Sequence, residues 1–409
     1  MADLSFLEDF YRDLHAHPEL SFQEARTAGL VADRLRTLGY EVAEGVGRTG
    51  VVGTLSRGSG PTVLLRADMD ALPVQEATGL DYASTATATT PEGREVPVMH
   101  ACGHDMHVTA LLGCLEDLAS QQDWQGTVLA VFQPAEEQGA GARAMVNDGL
   151  FDRFGTPDVV LGQHVSPMPA GALGVRPGPS FAASDSLKIT IFGHGGHGSR
   201  PETTVDPIVL AASVVLRLQT IVSREIAATD TAVVTIGSIR SGEVSNIIPD
   251  SAELQLSIRT FEPAVRTKVL DAIERIVRGE AATAGASREP AIETLHSFPA
   301  VVNDADAITR ITAAFGKALP QVMVVDPGVI TGSEDVGILA TEAGAPCAYW
   351  ILGGGDPAHF AGLSTIPELV AKVSELPSNH SPLFAPVISP TLQVGISALT
   401  VAARSWLVE

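Results

Sequence analysis

The chain has 409 residues, longer than one hydrophobic core usually serves, so two domains are the better expectation. Its 26 Lys and Arg stand against 48 Asp and Glu, a net charge of −22. That field repels nucleic-acid phosphates and anionic lipid surfaces, which excludes both as natural partners, and a solvated acidic surface accounts for the excess without assigning it a function.

The opening segment MADLSFLEDFYRDLHAHPEL has neither the basic start nor the apolar stretch of a secretory signal. No later run approaches the roughly 18 apolar residues of a membrane span, so a cytoplasmic protein is expected. From residue 3 to about 165 the pattern predicts a helix at about 22 to 38, strands Val51 to Leu55 and Val63 to Ala67, a helix at about 104 to 119, and a strand Val128 to Phe132. Such alternation points to an α/β fold with a mostly parallel sheet and helices on its faces. In sheets of that kind functional residues gather where strands end. Four polar clusters sit just past predicted strands: Arg66 to Asp70, Gln133 to Glu137, Gln163 with His164, and Gly353 to Asp356.

Between about 183 and 297 the texture changes. SLKITIFG, TAVVTIGSI and SAELQLSIRT alternate as half-buried strands do, while 206 to 225 and 263 to 282 read as amphipathic helices. This stretch is expected to be an inserted α+β domain, a four-stranded sheet with two helices on one face. After 298 the first pattern resumes through QVMVVD, PCAYWIL and a last helix from about 390 to 406. The expected domains are therefore 1–182 with 298–409, and 183–297.

The densest chemistry is MHACGHDMH, where one thiol and three imidazoles fall within a few residues at a predicted helix start. That composition favours zinc or another first-row divalent ion, and Gly103 lets the backbone turn so that Cys102 and His104 can reach one site. A helix start with incidental histidines is the competing reading. In VFQPAEE, Pro134 ends a strand and two adjacent carboxylates, Glu136 and Glu137, follow it. A metallohydrolase needs one carboxylate on metal and another to take a proton from water, although paired glutamates are also common on surfaces. Asp68 and Asp70 lie two apart after a strand and either orient a metal-bound histidine, ligate the metal directly or cap the strand end. His164 follows another apolar strand, and His380 sits in a turn with Pro382. An odd count of three cysteines fits reduced thiols, and Cys114 and Cys347 lie in apolar segments as core residues do.

RADMDALPVQE at 66–76, HACGHDMH at 100–107, VFQPAEE at 131–137, GGHGSRP at 195–201, SNIIPD at 245–250, GSED at 332–335 and NHSP at 379–382 occur in an order that resembles the aminoacylase, hippurate hydrolase and indole-acetyl-amino-acid hydrolase family. The resemblance covers nearly the whole chain. It implies a dinuclear centre with Cys102, His104, Glu137, His164 and His380 as metal ligands, Glu136 as general base and Asp70 as an orienting group. It further implies that His197 donates to the substrate carbonyl, in its own subunit or across a dimer, and that Asn246 and Arg259 grip a substrate carboxylate. From the residues alone, Arg259 reads equally as a surface strand residue and Asn246 as a turn former. Asp68, Asp105 and His107 stay open as supporting or structural groups. His15 and His17 are read as structural, and Glu334 is preferred to Asp335 as a residue behind the ligands.

The expected activity is hydrolysis of N-acyl amino acids to a carboxylic acid and a free amino acid. It would use two divalent ions per subunit, zinc or manganese first and cobalt or nickel after them. The inserted domain would be a lid and dimerisation domain, giving a homodimer that takes a small-molecule substrate. A dipeptidase or carboxypeptidase of the same chemistry is the alternative, followed by a non-catalytic binder of amino-acid derivatives.

Overall fold

The computed structural model describes residues 2–408 and divides into two compact units. The larger comprises Met1–Gly178, Val302–Gly328 and Asp335–Glu409; the smaller comprises Pro179–Val301 and Val329–Glu334. The short return at 329–334 was not visible as an apolar pattern. It joins the smaller unit because the Ala182 amide donates to the carbonyls of Ile330 and Gly332, each at 3.0 Å.

The larger unit is built on an eight-stranded sheet in the order Glu41–Val46, Gly50–Arg57, Gly126–Gln133, Thr62–Asp68, Val159–Pro169, Cys347–Gly355, Leu173–Gly174, Val324–Val325. The four central strands run parallel, so their carboxyl ends share one edge. The first two strands and the pairing of Cys347–Gly355 with Leu173–Gly174 are antiparallel. The central strands are buried almost throughout, which explains their unbroken Val, Leu and Ile content. QVMVVD shrinks to Val324–Val325 because turn chemistry stops it: Pro327 follows, Gly328 has φ +75°, and Asp326 accepts the Gly328 amide at 2.8 Å.

The helices of this unit follow their apolar spacing. Leu4–Ala16 is capped by Asp3, which accepts the Phe6 amide at 3.2 Å, and it buries Leu7, Phe10, Tyr11 and Leu14. His104–Ser120 is buried on nearly every face, as a helix sandwiched between a sheet and other helices must be. It packs on Ile388–Leu407, whose small residues Gly395, Ala398 and Ala402 allow close approach.

The smaller unit has an antiparallel sheet in the order Ala232–Arg240, Ser251–Thr260, Ala183–Phe192, Ala291–Phe298. Leu187, Ile189 and Ile191 alternate toward the helices Pro207–Thr220 and Pro263–Thr283, and meet Leu210, Val214, Val269, Ile273 and Ile276. By composition, Pro207–Glu225 is long and apolar enough to cross a membrane, with a mean hydropathy of 1.4, contrary to the expectation from contiguous apolar runs. Arg217 and Gln219 break its continuous stretch, while Leu210, Ala211, Val214, Leu218 and Ile221 fill the sheet's core.

One buried cation ties the central strands of the larger unit together. Arg66, on the strand Thr62–Asp68, donates to Asp68 Oδ2 at 2.7 Å, Gln133 Oε1 at 2.9 Å, Asp335 Oδ1 at 3.2 Å and the Tyr349 hydroxyl at 3.3 Å. Burial would raise the Asp68 carboxyl, but Arg66 with His104 and His107 holds it well below the usual carboxylate range. Replacing Arg66 with methionine keeps the chain length and strands two buried carboxylates. Urea denaturation should show a loss of about 3–5 kcal/mol, and a change below about 1 kcal/mol would contradict an ionised network here.

Candidate metal centre

The carboxyl ends of the parallel strands carry the candidate groups. Gly103 precedes the helix His104–Ser120 with φ +81°, and a Cβ there would lie 2.4 Å from Val165 Cγ1. Only glycine permits this turn, and the turn sets Cys102 and His104 side by side. Cys102, His104 and His164 have their ligand atoms within 4.8 Å of one another, as do Cys102, Glu137 and His380, and His104, Glu136 and Glu137. Cys102 Sγ lies 3.5 Å from His164 Nε2, and His380 Nε2 lies 3.4 Å from Glu137 Oε2. His104 Nε2 is 3.8 Å from Glu137 Oε1 and 4.0 Å from Glu136 Oε2.

The imidazoles are held in a common way. His104 Nδ1 donates to the Asp70 carbonyl at 2.8 Å, and His164 Nδ1 donates to the Val165 carbonyl at 2.8 Å. Each Nε2 is thereby left as the atom that can take a cation. His104 Nε2 and Glu137 Oε1 are both buried and lack a hydrogen-bond partner. Two such atoms facing each other in a dry site are costly unless a cation comes between them. Burial would push the His104 imidazole down, yet Asp68, Asp70 and Glu137 carry it up to about 10, a measure of how strongly this site attracts positive charge. Thiol, imidazole and carboxylate together fit a first-row divalent ion.

The Glu136–Glu137 loop is shaped by two acids. Asp70 accepts the Glu136 amide on Oδ1 and the Glu137 amide on Oδ2, each at 3.1 Å, with Ser21 Oγ donating to Oδ2 at 2.6 Å. Glu24 accepts the Ala135 amide at 2.9 Å, where Ala135 takes φ +48°. Burial, reinforced by Asp70, raises the Glu24 carboxyl to about 7. Nothing in the local sequence marked Glu24 or Ser21, since both act from about 110 residues away or by way of Asp70.

The three imidazoles of MHACGHDMH part company. His107 donates from Nδ1 to Asp68 Oδ1 at 2.5 Å and accepts the Val165 amide on Nε2 at 2.8 Å, so both nitrogens are spent on structure. His100 is buried and uncharged, burial pushing it down to about 4. Of the three, His104 is the one grouped with Cys102, His164, Glu136 and Glu137, whereas His107 is grouped with Asp68 and His104 alone. Cys114 and Cys347 are buried and are not disulfide-bonded. Asp335 serves the Arg66 network and also accepts from Gln133 Nε2 at 2.6 Å and the Ala142 amide at 3.1 Å. Glu334 is buried in the smaller unit.

In the smaller unit, His197 is exposed on a short strand paired with Ile247, and the Gly198 amide donates to the Asn246 carbonyl at 2.9 Å. The Ser199 amide donates to His197 Nδ1 at 3.1 Å, so the proton sits on Nε2 as an available donor. Arg259 meets Ser333 Oγ and pairs with no carboxylate among the described residues; burial alone lowers its pKa.

His15 and His17 differ sharply. His17 is exposed, with Nδ1 at 2.8 Å from the Asp13 carbonyl. His15 is fully buried, its Nδ1 2.6 Å from Asp105 Oδ2 and its Nε2 3.1 Å from Glu76 Oε1. Burial opposes its charge, but these two carboxylates raise its pKa to about 10. The resulting stabilisation is complete below the ordinary value of 6.5 and fades as pH rises toward 10. Thermal unfolding of His15→Gln against the native chain should therefore show a large Tm gap at pH 6 to 7 that closes by about pH 10. A gap that stays constant across that range would show His15 to be neutral.

The profile of Peptidase family M20/M25/M40 matches residues 64–366. The hippurate hydrolase of Campylobacter jejuni is 44% identical over 274 residues, covering 66% of this chain and 69% of that protein. Thermostable carboxypeptidase 1 of Saccharolobus solfataricus is 39% identical over 366 residues, covering 86% and 87%. The solved structure of the Bacillus subtilis YXEP protein, a dinuclear metal-binding peptidase, superposes with a TM-score of 0.76 at 29% identity over 98% of each chain. The chain is a member of Peptidase family M20/M25/M40.

Proposed function

We propose that this enzyme hydrolyses the amide bond of N-acyl amino acids, releasing a carboxylic acid and a free amino acid. The observation that carries the reading is the facing pair of buried, unpartnered donors, His104 Nε2 and Glu137 Oε1, inside a cluster of thiol, imidazole and carboxylate from four separated segments. Similarity to a hippurate hydrolase gives the substrate class. In this proposal Cys102, His104, Glu137, His164 and His380 hold two divalent cations, zinc or manganese before cobalt or nickel. Bound there, such cations supply Lewis acidity, lowering the pKa of water and polarising the amide carbonyl.

The remaining steps belong to side chains. Glu136 accepts the proton of the attacking water and returns it to the amine nitrogen, which leaves poorly unless protonated. The Asp70 main-chain carbonyl keeps His104 in the tautomer that presents Nε2, and the Asp70 carboxylate holds the Glu136 amide, so one residue orients both ligand and base. Asn246 and Arg259 are assigned to the substrate carboxylate and His197 to the developing oxyanion; the half-buried Arg259 without a counter-ion supports the first assignment. We assign the smaller unit as lid and dimerisation domain of a cytoplasmic homodimer, a reading supported by its apolar side chains exposed at Val209, Leu216, Val233 and Ile239.

A carboxypeptidase is the second reading, favoured by the 39% identical relative that covers 86% of the chain. N-acetyl and N-benzoyl amino acids, assayed beside peptides with free carboxyl termini, separate the two. Amine release confined to the peptides would reject the first reading. Glu136→Gln should keep metal content near normal while turnover falls by roughly two to four orders of magnitude. Cys102→Ala should instead lose metal together with turnover, as elemental analysis after dialysis will report. Undiminished turnover in the first variant, or full metal in the second, would remove that residue from its assigned role.

A further inference from the structure

Asn379, one residue before His380, reaches one other proposed ligand, Cys102, and the residue next to a second, His164. Its Nδ2 lies 3.1 Å from the Cys102 carbonyl oxygen, 3.1 Å from the Val165 carbonyl oxygen and 3.9 Å from Cys102 Sγ. Both carbonyls can only accept, so the amide must present its NH2 end to them, and the longer contact to Cys102 Sγ shares one of its two hydrogens. The same Val165 carbonyl takes the His164 Nδ1 proton at 2.8 Å. Alongside, the His380 amide donates to the Ala101 carbonyl at 2.8 Å, and His380 itself holds φ +71°. A side chain from near the end of the sequence thus joins the turn that carries Cys102 to the strand that carries His164.

We propose that Asn379 is a positioning residue that sets Cys102, His164 and His380 at a common metal-binding spacing and places an N–H beside the Cys102 sulfur. This rests on reading those three residues as ligands. The chemistry is specific to the amide. An aspartate of the same shape would turn a carboxylate oxygen toward two carbonyl oxygens and a thiolate, so every contact that now attracts would repel. Alanine would remove the link without adding repulsion. An N–H near a thiolate draws off part of its charge, so its loss changes the sulfur as a ligand as well as its place.

The test uses the full chain stripped of metal by a chelator and titrated with Co2+, whose bond to a thiolate gives a near-ultraviolet charge-transfer absorption. The native protein is expected to show that band. Asn379→Asp should bind Co2+ about 10–100-fold more weakly, with the band shifted or lost, and Asn379→Ala should show a smaller loss in the same direction. Circular dichroism and thermal unfolding of the metal-free proteins separate this from general damage. A native band with unchanged affinity and band position in both variants would overturn the role of Asn379. Variants that are unfolded before metal is added would overturn it too, by making the residue structural. A native protein that binds Co2+ without the band would instead overturn Cys102 as a ligand, and the inference with it.

Discussion

The guanidinium of Arg66 is closed off from water and shared between Asp68 and Asp335, with Gln133 bridging to the second of these. Because that cation is buried, Asp68 stays ionised where an isolated carboxylate would take up a proton. An ionised Asp68 can in turn accept from His107 Nδ1, which frees Nε2 to accept the Val165 amide next to His164. One charge at the end of a central strand therefore fixes hydrogen bonds on three neighbouring strand ends. The parallel arrangement makes this possible, since it brings Asp68, Gln133 and His164 to the same edge of the sheet.

On that scaffold the candidate centre concentrates more negative charge than its own side chains neutralise. Glu136, Glu137, Asp68 and Asp70 surround His104, and the field of Asp68, Asp70 and Glu137 raises its pKa although burial works against it. A proton or a metal ion answers such a field equally well. The unpartnered His104 Nε2 and Glu137 Oε1, at 3.8 Å, favour the ion, because a proton on one would still leave the other poorly bonded. The other histidines of the same motif take structural roles: burial keeps His100 uncharged although Asp105 and Asp70 oppose it, and His107 is consumed by the strand network.

Much of the architecture was legible because its signals are local. Buried parallel strands read as apolar runs, and the inserted unit read as alternation, since one of its faces meets helices and the other does not. Local signals also misled where pairing decides. QVMVVD has a strand's composition, yet Pro327 and Gly328 cut it to two residues. The antiparallel outer strands, the pairing of Leu173–Gly174 and the return of residues 329–334 to the smaller unit depend on distant partners that no window contains.

The donor atoms are similarly divided between what sequence and folding each decide. By itself the sequence determined the metal-type chemistry of MHACGHDMH and FQPAEE, the α/β class and the resemblance to a hydrolase family, because residue type and short spacing carry that information. Only the tertiary structure decided that His107, one of three nearby imidazoles, spends both nitrogens on Asp68 and the Val165 amide. It alone made Glu24 a brace for the Ala135 turn and buried His15 between Asp105 and Glu76, the latter 61 residues away. It also placed the Asn379 amide against Cys102. Each of these is a question of which atoms remain unbonded or charged once water is excluded, and burial is a property of the folded chain, not of any segment of it.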